Sequence, residues 1–376
     1  MKHSFSYLSA VFAASLLVAL SFSQQQVQEW KGNVEENAGI RVIRNPRDPI
    51  YKGDICSLVE ELSIGYVEGK EERLFTNIND IAVDAHENIY LLDLKQDKIS
   101  IFNKNGKFIR NIGKRGQGPG EFQFPRQILI SPNHELVVCD LMVRRLLFFL
   151  FDGTFKGSIP TWKYGRLTRV LVDSEDNIIG ETLLSGEKRG FSLKKFNANF
   201  EELFTIAVKE REKLPLLEDL SPRIVWTVSD NDDIIWGDSE KYEINVQDRQ
   251  GKLLKKITKE SRPEKVIEEK YSDQLKTKFG GRPIPLDFEQ ELPNYYPAFR
   301  SLETDGQGRL LVSTFEKVND GKGYYIDVFN AEAKYVAKIP LMTQPRIWKN
   351  GKLYTVEEDA NGYSVMKRYG IKWKIN

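Results

Sequence analysis

One two-part pattern recurs six times along this chain of 376 residues, and it restricts the possible folds more than any other feature. Its first part, an apolar strand, a polar turn and a second apolar strand, occurs at residues 81–93, 128–140, 170–182, 226–238, 302–314 and 345–357. Its second part is a hairpin, at residues 98–112, 145–159, 191–206, 242–257, 324–339 and 363–374. Four short strands in a meander, repeated at intervals of about 40 to 50 residues, are typical of a propeller blade. The sequence therefore predicts an all-β fold, a six-bladed β-propeller of four-stranded antiparallel blades.

Acidic and amide residues are concentrated between the predicted strands, as in Asp-Ala-His-Glu-Asn at residues 84–88 and Asp-Ser-Glu-Asp-Asn at residues 173–177. Such residues favour tight turns and tolerate positive φ. Acidic turns also suit calcium, but no liganding glutamate follows at the spacing of an EF-hand loop. We therefore interpret these segments as turns, and the sequence predicts no metal ion and no cofactor.

Residues 1–23 have the pattern of a secretory signal peptide. Lys2 and His3 give a polar start, residues 8–22 are mostly apolar, and small residues precede the expected cleavage position. Cleavage before Gln24 predicts an exported protein, periplasmic or extracellular, with no membrane span in the mature chain. An uncleaved membrane anchor is the alternative.

The remaining chain divides into an N-terminal segment, residues 24–66, and the predicted propeller, residues 67–376. A propeller closes where its first and last blades meet. Because residues 58–64 have a strand-like pattern, we expect the N-terminal segment to add an edge strand to the last blade or to dock beside it.

The expected mature chain is electrically neutral, because the signal segment holds one of the 55 basic residues and none of the 54 acidic residues. A neutral chain without runs of lysine and arginine lacks the electrostatic footprint of a nucleic-acid-binding protein. Cys56 and Cys139 can form a disulfide in an oxidising compartment. Since Cys139 lies inside a predicted core strand and Cys56 lies before the first blade, we do not favour that bond.

Residues 78–160 carry a more specific pattern. Two successive copies combine the apolar strands with Asn-Gly or Asp-Gly turns, and residues 116–122 read Gly-Gln-Gly-Pro-Gly-Glu-Phe. This region resembles NHL repeats, and residues 55–376 resemble, in weaker form, the secreted six-bladed propeller proteins of bacteria. Later copies depart from the pattern, because residues 197–199 and 330–332 lack the turn glycine. The resemblance implies a fold more than an activity, since the family includes binding modules, scaffolds and a few lyases.

The meander places short, uniform turns on one face of the propeller and long, irregular loops on the other, which is where repeat folds carry function. The longest irregular connection, residues 258–301, predicts one amphipathic helix. Its start matches a capping box at residues 261–264, it ends at Gly280, and its apolar stripe consists of Ile267, Tyr271, Leu275 and Phe279. We expect the stripe to pack on the blade edges, and the Pro-rich, aromatic residues 283–299 to wall or cover the channel mouth.

An arginine stands at or just before the start of five first strands, and these residues are Arg126, Arg169, Arg223, Arg300 and Arg346. Four second strands end in an acid, and these residues are Asp93, Asp140, Asp238 and Glu357. Both kinds of strand end lie on the irregular face. One interpretation is a ring of arginine–carboxylate pairs that ties the blades together. The other is a polar funnel in which free arginines bind an anionic ligand, such as a carboxylate on a sugar or peptide.

The sequence gives less support to an enzymatic site. The histidines of the mature chain are His86 and His134, and both lie in predicted surface turns. This placement argues against a histidine-based zinc site and against a catalytic triad. Catalysis by carboxylates alone stays open, with Asp93, Asp140, Glu181 and Asp238 as the candidate acids and bases.

Aromatic residues on the irregular face are candidate sugar-stacking positions. Trp162 and Tyr164 lie in a connection between blades, and Tyr295 lies in the insertion. An exposed ring in such a place stacks on a sugar, whereas a buried one fills the core.

These features predict an exported binding or interaction module that uses the irregular face at the channel mouth, for a protein partner or for an anionic glycan or peptide. Its candidate ligand-binding residues are the five arginines together with Asp93, Asp140, Asp238, Trp162 and Tyr295. The alternative is a periplasmic or secreted lyase or hydrolase, which acts on a glycan or peptide-like substrate through carboxylates at the channel mouth.

Overall fold

The computed structural model describes residues 26–67, 69, 74–141, 143–184, 189–318 and 321–374. The predicted signal segment lies outside these ranges. The described chain folds into a six-bladed β-propeller, and each blade contains four antiparallel strands. The predicted fold class is therefore confirmed.

Five strands precede the first complete blade, and they are β1 (Gln26–Val27), β2 (Asn33–Asn37), β3 (Ile40–Asn45), β4 (Tyr51–Lys52) and β5 (Cys56–Ile64). Blade one consists of β6 (Ile78–Val83), β7 (Ile89–Asp93), β8 (Lys98–Phe102) and β9 (Phe108–Ile112). Blade two consists of β10 (Pro125–Ile130), β11 (Glu135–Asp140), β12 (Arg145–Leu150) and β13 (Phe155–Pro160). Blade three consists of β14 (Leu167–Val172), β15 (Ile178–Leu183), β16 (Arg189–Phe196) and β17 (Glu202–Arg211).

Blade four consists of β18 (Ile224–Val228), β19 (Ile234–Asp238), β20 (Glu243–Gln247) and β21 (Leu253–Lys259). Blade five consists of β22 (Ser301–Thr304), β23 (Leu310–Lys317), β24 (Tyr324–Phe329) and β25 (Tyr335–Leu341). Blade six consists of β26 (Pro345–Lys349), β27 (Lys352–Glu358), β28 (Ser364–Trp373) and β5. Short 3-10 helices occupy Trp162–Tyr164, Glu218–Leu220 and Glu268–Lys270, and the α-helix α1 spans Ser272–Phe279.

The sixth blade takes its outer strand from the opposite end of the chain. Strand β5 pairs with β28 in antiparallel fashion, from Cys56 opposite Trp373 to Ile64 opposite Met366. The predicted hairpin at residues 363–374 is therefore wrong, because these residues form the single strand β28. The propeller consequently includes β5, ahead of the boundary predicted at residue 67.

The hairpin of β2 and β3 enlarges the fourth blade. Strand β3 pairs with β21 in parallel, which gives a sheet of six strands. Asn45 at the end of β3 accepts the N–H of Tyr335 at 2.7 Å and donates to the carbonyl of Ala333 at 3.0 Å. The hairpin therefore links the outer edge of blade four to blade five, an arrangement that the sequence pattern did not indicate.

Apolar side chains on both sides of each sheet pack against the neighbouring blades. Between blades one and two, the buried cluster includes Tyr90, Leu136, Phe149 and Phe122. Phe122 belongs to the glycine-rich connection, and its ring lies 1.8 Å from where a Cβ on Gly113 would stand. Since Gly113 also has a φ of 75°, both space and backbone conformation require glycine. The motif therefore fixes a core phenylalanine between two blades.

Side chains of the turns on the short-loop face bind their own backbone. Asp84 Oδ1 accepts the N–H groups of His86 and Asn88, each at 2.8 Å. The equivalent side chains in the next four blades also accept backbone N–H groups, and they are Ser131, Asp173, Ser229 and Asp305. Where a turn lacks its glycine, Phe200 adopts a φ of 61°. These residues act as turn formers, as predicted.

The helix of the insertion is shorter than predicted. Residues 261–267 contain no helix, because Val266 N–H donates to the carbonyl of Asn294 at 3.0 Å and Tyr296 N–H donates to that of Glu264 at 2.8 Å. The predicted capping box is therefore wrong, while α1 ends before Gly280 in the left-handed conformation, as predicted. Within the described ranges, no helix is long and apolar enough to cross a membrane.

The two cysteines lie on different blades. Cys56 is on β5, Cys139 is buried on β11, and both are free thiols. Burial raises the pKa of the Cys56 thiol to about 11, which keeps it protonated at neutral pH.

Candidate functional site

A cavity of about 670 Å³, which we call the mouth cavity, lies at the centre of the irregular face. The first strands of the blades and the connections that precede them line it. The five arginines predicted from the strand starts all lie in its wall, namely Arg126, Arg169, Arg223, Arg300 and Arg346. Arg166 and Arg211 line the same cavity and were not anticipated. Residues separated by more than two hundred positions in sequence thus share one site.

Aromatic rings and backbone carbonyls hold several of these arginines. The Arg126 guanidinium lies 4.3 Å from the centre of the Phe124 ring. That of Arg169 lies 4.6 Å from the Trp226 ring and donates a hydrogen bond to the Trp226 carbonyl. Arg223 Nη2 donates to the carbonyl of Arg300 at 3.4 Å. Such contacts orient a guanidinium without neutralising its charge.

The described residues do not form the predicted arginine–carboxylate ring. In the described part of the chain, none of the five predicted arginines has a carboxylate oxygen within 4.0 Å, whereas other arginines, such as Arg309, form close ion pairs. The strand-end acids have different partners. Asp93 accepts the N–H of Thr76 at 3.1 Å, and Asp140 accepts that of Gln123 at 2.8 Å.

The remaining strand-end acids also lie outside the wall of the mouth cavity. Asp238 accepts the N–H of Glu240 at 3.1 Å and forms an ion pair with Lys209. Glu357 forms an ion pair with Lys367 at 3.1 Å. Buried or half-buried acids at these positions order the adjacent loops and strands, so they do not face the arginines.

Four carboxylates do line the mouth cavity, and they are Asp80, Glu181, Glu218 and Glu303. Burial raises the pKa of Asp80 to about 6 and that of Glu303 to about 7. Burial also raises the pKa of Glu181, whose carboxylate accepts a hydrogen bond from Thr168. Seven arginines against four carboxylates leave a positive excess, and protonation of the acids increases it.

Of these acids, Glu181 was predicted from the sequence, whereas Asp80 and Glu303 were not. Asp80 interrupts the apolar strand β6, and Glu303 interrupts β22. A charged residue inside a first strand, which faces the channel of a propeller, is the sequence signal that identifies such positions.

One repeat position in the cavity wall links successive first strands. Asp80 Oδ2 accepts the N–H of Ile128 at 2.8 Å. In the next blade, Gln127 accepts the N–H of Val170 at 2.9 Å and donates to its carbonyl at 2.7 Å. Arg169 of blade three continues the series through its bond to Trp226. Arg169 therefore links blades three and four, whereas Arg126, Arg223 and Arg346 are exposed to solvent.

A second cavity, of about 370 Å³, adjoins the mouth cavity above blade five, and we call it the blade-five cavity. It shares Arg223, Arg300 and Glu303 with the mouth cavity. Arg300 lies 4.5 Å from the ring centre of Tyr324 and 5.2 Å from that of Phe315. The two cavities therefore form one continuous polar surface around Arg300.

The aromatic candidates lie outside both cavities. Trp162, which is 66% exposed, stands in a 3-10 helix between blades two and three. Tyr164 packs against Phe196 and Phe200, so it fills the core. Tyr295, which is 48% exposed, forms an isolated bridge with Lys265 in the insertion.

The histidines remain in their turns. His86 lies in the turn that Asp84 closes, and His134 adopts a φ of 61° in the corresponding turn of blade two. Among the described residues, no group of three or more His, Cys, Asp or Glu side chains is arranged to hold a metal ion.

Comparison with known proteins agrees with this architecture. The family model DUF5128, described as a 6-bladed beta-propeller, matches residues 32–161, which include the β2–β3 hairpin, β5 and the first two blades. No curated protein matches the chain significantly.

Solved structures are similar over most of the chain. A protein of Bacteroides fragilis NCTC 9343, whose name describes it as exported, is 12% identical with a TM-score of 0.57, over 89% of this chain and 100% of that one. A member of the duf4221 family from Bacteroides vulgatus is 12% identical with a TM-score of 0.56, over 86% of this chain and 100% of that one. At this level of identity the likeness shows the six-bladed propeller fold alone.

Proposed function

We propose that this protein is an exported binding module that holds an anionic ligand, a glycan or a peptide, in the mouth cavity. One observation carries the proposal: five arginines from five blades converge on a single cavity without a close carboxylate among the described residues. Guanidinium groups bind carboxylates through paired, charge-assisted hydrogen bonds. Arginines that are oriented but not neutralised are therefore available to a ligand.

The dimensions and charge of the cavity support this proposal. A volume of about 670 Å³ lies within the usual range of ligand sites, roughly 300 to 1,000 Å³. Its positive excess attracts anions in a chain whose expected net charge is zero. The signal-like residues 1–23 and the similarity to a protein named as exported support the location outside the cytoplasm.

The proposal is tested by titrating the purified protein with matched charged and neutral probes. Oligogalacturonate and poly-glutamate represent an anionic glycan and an anionic peptide, and a neutral galactan oligomer serves as the uncharged control. We expect an anionic probe to bind and to raise the melting temperature, because a ligand of the folded state stabilises it. The affinity should also fall as salt is added.

Variants locate the site. Arg126→Ala combined with Arg300→Ala should weaken binding of the anionic probe about tenfold or more, because each arginine supplies charge-assisted hydrogen bonds. The melting temperature should change little, since neither guanidinium forms an ion pair among the described residues. Arg41→Ala combined with Arg110→Ala removes the same charge outside both cavities and should leave binding unchanged. Equal losses in the two double variants, or a collapse of stability in the first, would contradict the proposal.

A second candidate is an enzyme that acts on an anionic substrate in the same cavity. The observation that favours it is the presence of two buried carboxyl groups, Asp80 and Glu303, whose raised pKa values lie near neutrality, as a general acid requires. Product analysis after incubation with each bound anionic probe distinguishes the candidates. Turnover that Glu303→Gln abolishes would favour the enzyme, and binding without turnover would favour the module.

A further inference from the structure

The blade-five cavity has features of a specific subsite. It is enclosed by the first three strands of blade five and by the connections before β18, β22 and β26. Arg300 lies in its wall and also in the wall of the mouth cavity, so one ligand can contact both cavities. At about 370 Å³ it is near the lower end of the range for ligand sites, which suits one ring and not a polymer segment.

Arg300 is fixed in place on the cavity wall. Its guanidinium lies over Tyr324 and Phe315, and Tyr296 stacks on Phe315 with ring centres 4.7 Å apart. The insertion thus supports the arginine through Tyr296. A guanidinium that is held by aromatic rings keeps its hydrogen-bond donors directed and loses little freedom when an anion binds.

Two polar atoms in this wall lack hydrogen-bond partners among the described residues, and they are Glu303 Oε2 and Ser313 Oγ, which are both shielded from solvent. The Glu303 carboxyl group does form a hydrogen bond with the Ser301 side chain. Ser313 is 8% exposed, and both side chains line the cavity. A buried polar atom without a partner has an uncompensated desolvation cost. A ligand hydroxyl that meets either group after a small side-chain rotation removes that cost.

We propose that the blade-five cavity binds one acidic sugar residue, with its carboxylate on Arg300 and its ring hydroxyls on Glu303 and Ser313. This inference rests on the proposed function, because it assigns a ligand class to the adjoining mouth cavity. A carboxyl group and a serine hydroxyl each donate and accept hydrogen bonds, as sugar hydroxyls do. The side chains of Leu341, Met342 and Pro345 in the same wall give the site apolar surface for the carbon atoms of a sugar ring.

A peptide terminus fits these groups less well. Its carboxylate would occupy Arg300, and its adjacent amide N–H can donate to one of the two groups, whereas the several hydroxyls of a sugar ring can reach both. A small acid without hydroxyls would leave both groups unsatisfied. The wall therefore combines Arg300, which can bind a carboxylate, with Glu303 and Ser313, which can bind hydroxyls, and this combination favours a sugar acid.

The test compares three ring compounds by calorimetric titration. Glucuronate carries both the carboxylate and the hydroxyls, cyclohexanecarboxylate carries only the carboxylate, and glucose carries only the hydroxyls. We expect glucuronate to bind about tenfold more tightly than either of the other two. Equal binding of glucuronate and cyclohexanecarboxylate, or tighter binding of tri-alanine with a free carboxylate, would overturn the inference.

Two variants test whether the expected difference in affinity between glucuronate and cyclohexanecarboxylate arises in the blade-five cavity. Ser313→Ala should weaken glucuronate binding about fivefold and leave cyclohexanecarboxylate binding unchanged. Glu303→Met removes a negative charge that disfavours both anions, so it should reduce the ratio of the two affinities about fivefold. Ser313→Ala breaks no observed hydrogen bond, so the protein should retain its fold. If poly-glutamate and oligogalacturonate bind but these variants lose nothing, the subsite is wrong and the mouth proposal stands. If no anion of any kind binds, both proposals are wrong.

Discussion

The two faces of the propeller use polar side chains in different ways. On the short-loop face, an Asp or Ser in each of the first five blades accepts the N–H groups of its own turn, as Asp84 does for His86 and Asn88. On the irregular face, arginines from five blades line a cavity, and none of the five has a carboxylate oxygen within 4.0 Å among the described residues. The first arrangement satisfies polar groups inside the chain, and the second leaves guanidinium charge without a close ion-pair partner. Similar repeats thus give a structural face and the face on which we propose a ligand site.

The largest effect is expected from a variant that breaks the structural face. Asp173 forms an ion pair with Lys195 at 2.6 Å, and their side chains are 1% and 3% exposed. Asp173→Ala opens the turn and leaves a buried ammonium without its carboxylate, which should lower the free energy of unfolding by about 3 to 5 kcal/mol. Chemical denaturation measures this loss. The double variant Asp173→Ala with Lys195→Met should recover much of it, and anion binding by the folded fraction should be unaffected.

A smaller effect tests whether the mouth also contains structural polar groups. Asp80 accepts the N–H of Ile128 across two blades. Asp80→Ala leaves that N–H without its acceptor and should cost about 2 kcal/mol in denaturation experiments. Asp80→Asn keeps an acceptor in place and should cost much less. Equal costs for the two variants would show that loss of the acceptor for Ile128 N–H does not cause the destabilisation.

The pH dependence of stability tests whether Glu303, in the wall of the mouth cavity, is buried in the folded protein. Burial raises the pKa of Glu303 to about 7 in the folded protein, so the folded state binds a proton more tightly than the unfolded state. Its contribution is fully present below about pH 4.5 and is lost as the pH rises toward 7. Glu303→Gln, which cannot ionise, should therefore match the wild type at pH 4 and exceed it by about 3 kcal/mol at pH 8. Parallel stability curves for the two proteins would contradict the assigned burial.

The smallest effect is expected at Trp162. Its ring is exposed and lies outside both cavities, so Trp162→Ala should change the free energy of unfolding by less than about 0.5 kcal/mol. Binding of the small ring compounds should also be unchanged. A clear loss of binding of oligogalacturonate alone would show that a long glycan extends from the mouth over this residue.

The strands and turns were predictable because each is encoded locally. An apolar run on either side of an Asp-rich turn has few alternatives to a hairpin, and even Phe200 takes the left-handed conformation that the repeat requires. The β2–β3 hairpin was not predictable, since all five residues of β2 are exposed and its pairing depends on a strand some two hundred residues away. The start of α1 was missed because the backbone of Val266 pairs with Asn294, a contact that local propensity does not contain.

The candidate site was predictable in part because its arginines also follow the local repeat. Arginines at equivalent strand starts converge through the symmetry of the repeat, so their positions alone indicated a shared cavity. Their expected acid partners were wrong, because Asp93 and Asp140 turn into the loops and accept backbone N–H groups. Asp80 and Glu303 depend on which side of a first strand faces the channel, and a one-residue shift in register reverses that side.

The ring of blades closes where β5 pairs with β28, and this pairing determines when the mouth cavity forms during folding. Cys56 pairs opposite Trp373, so the two strands that join the circle lie near opposite ends of the chain. The entropy lost in closing a loop grows with its length, which makes this pairing the costliest contact to form and the one expected last in folding. Until β28 has been synthesised, β5 has no strand partner and blade six, which carries Arg346, is not joined to the start of the ring. A variant truncated before β28 should therefore retain most of its blades and still lack the proposed binding site.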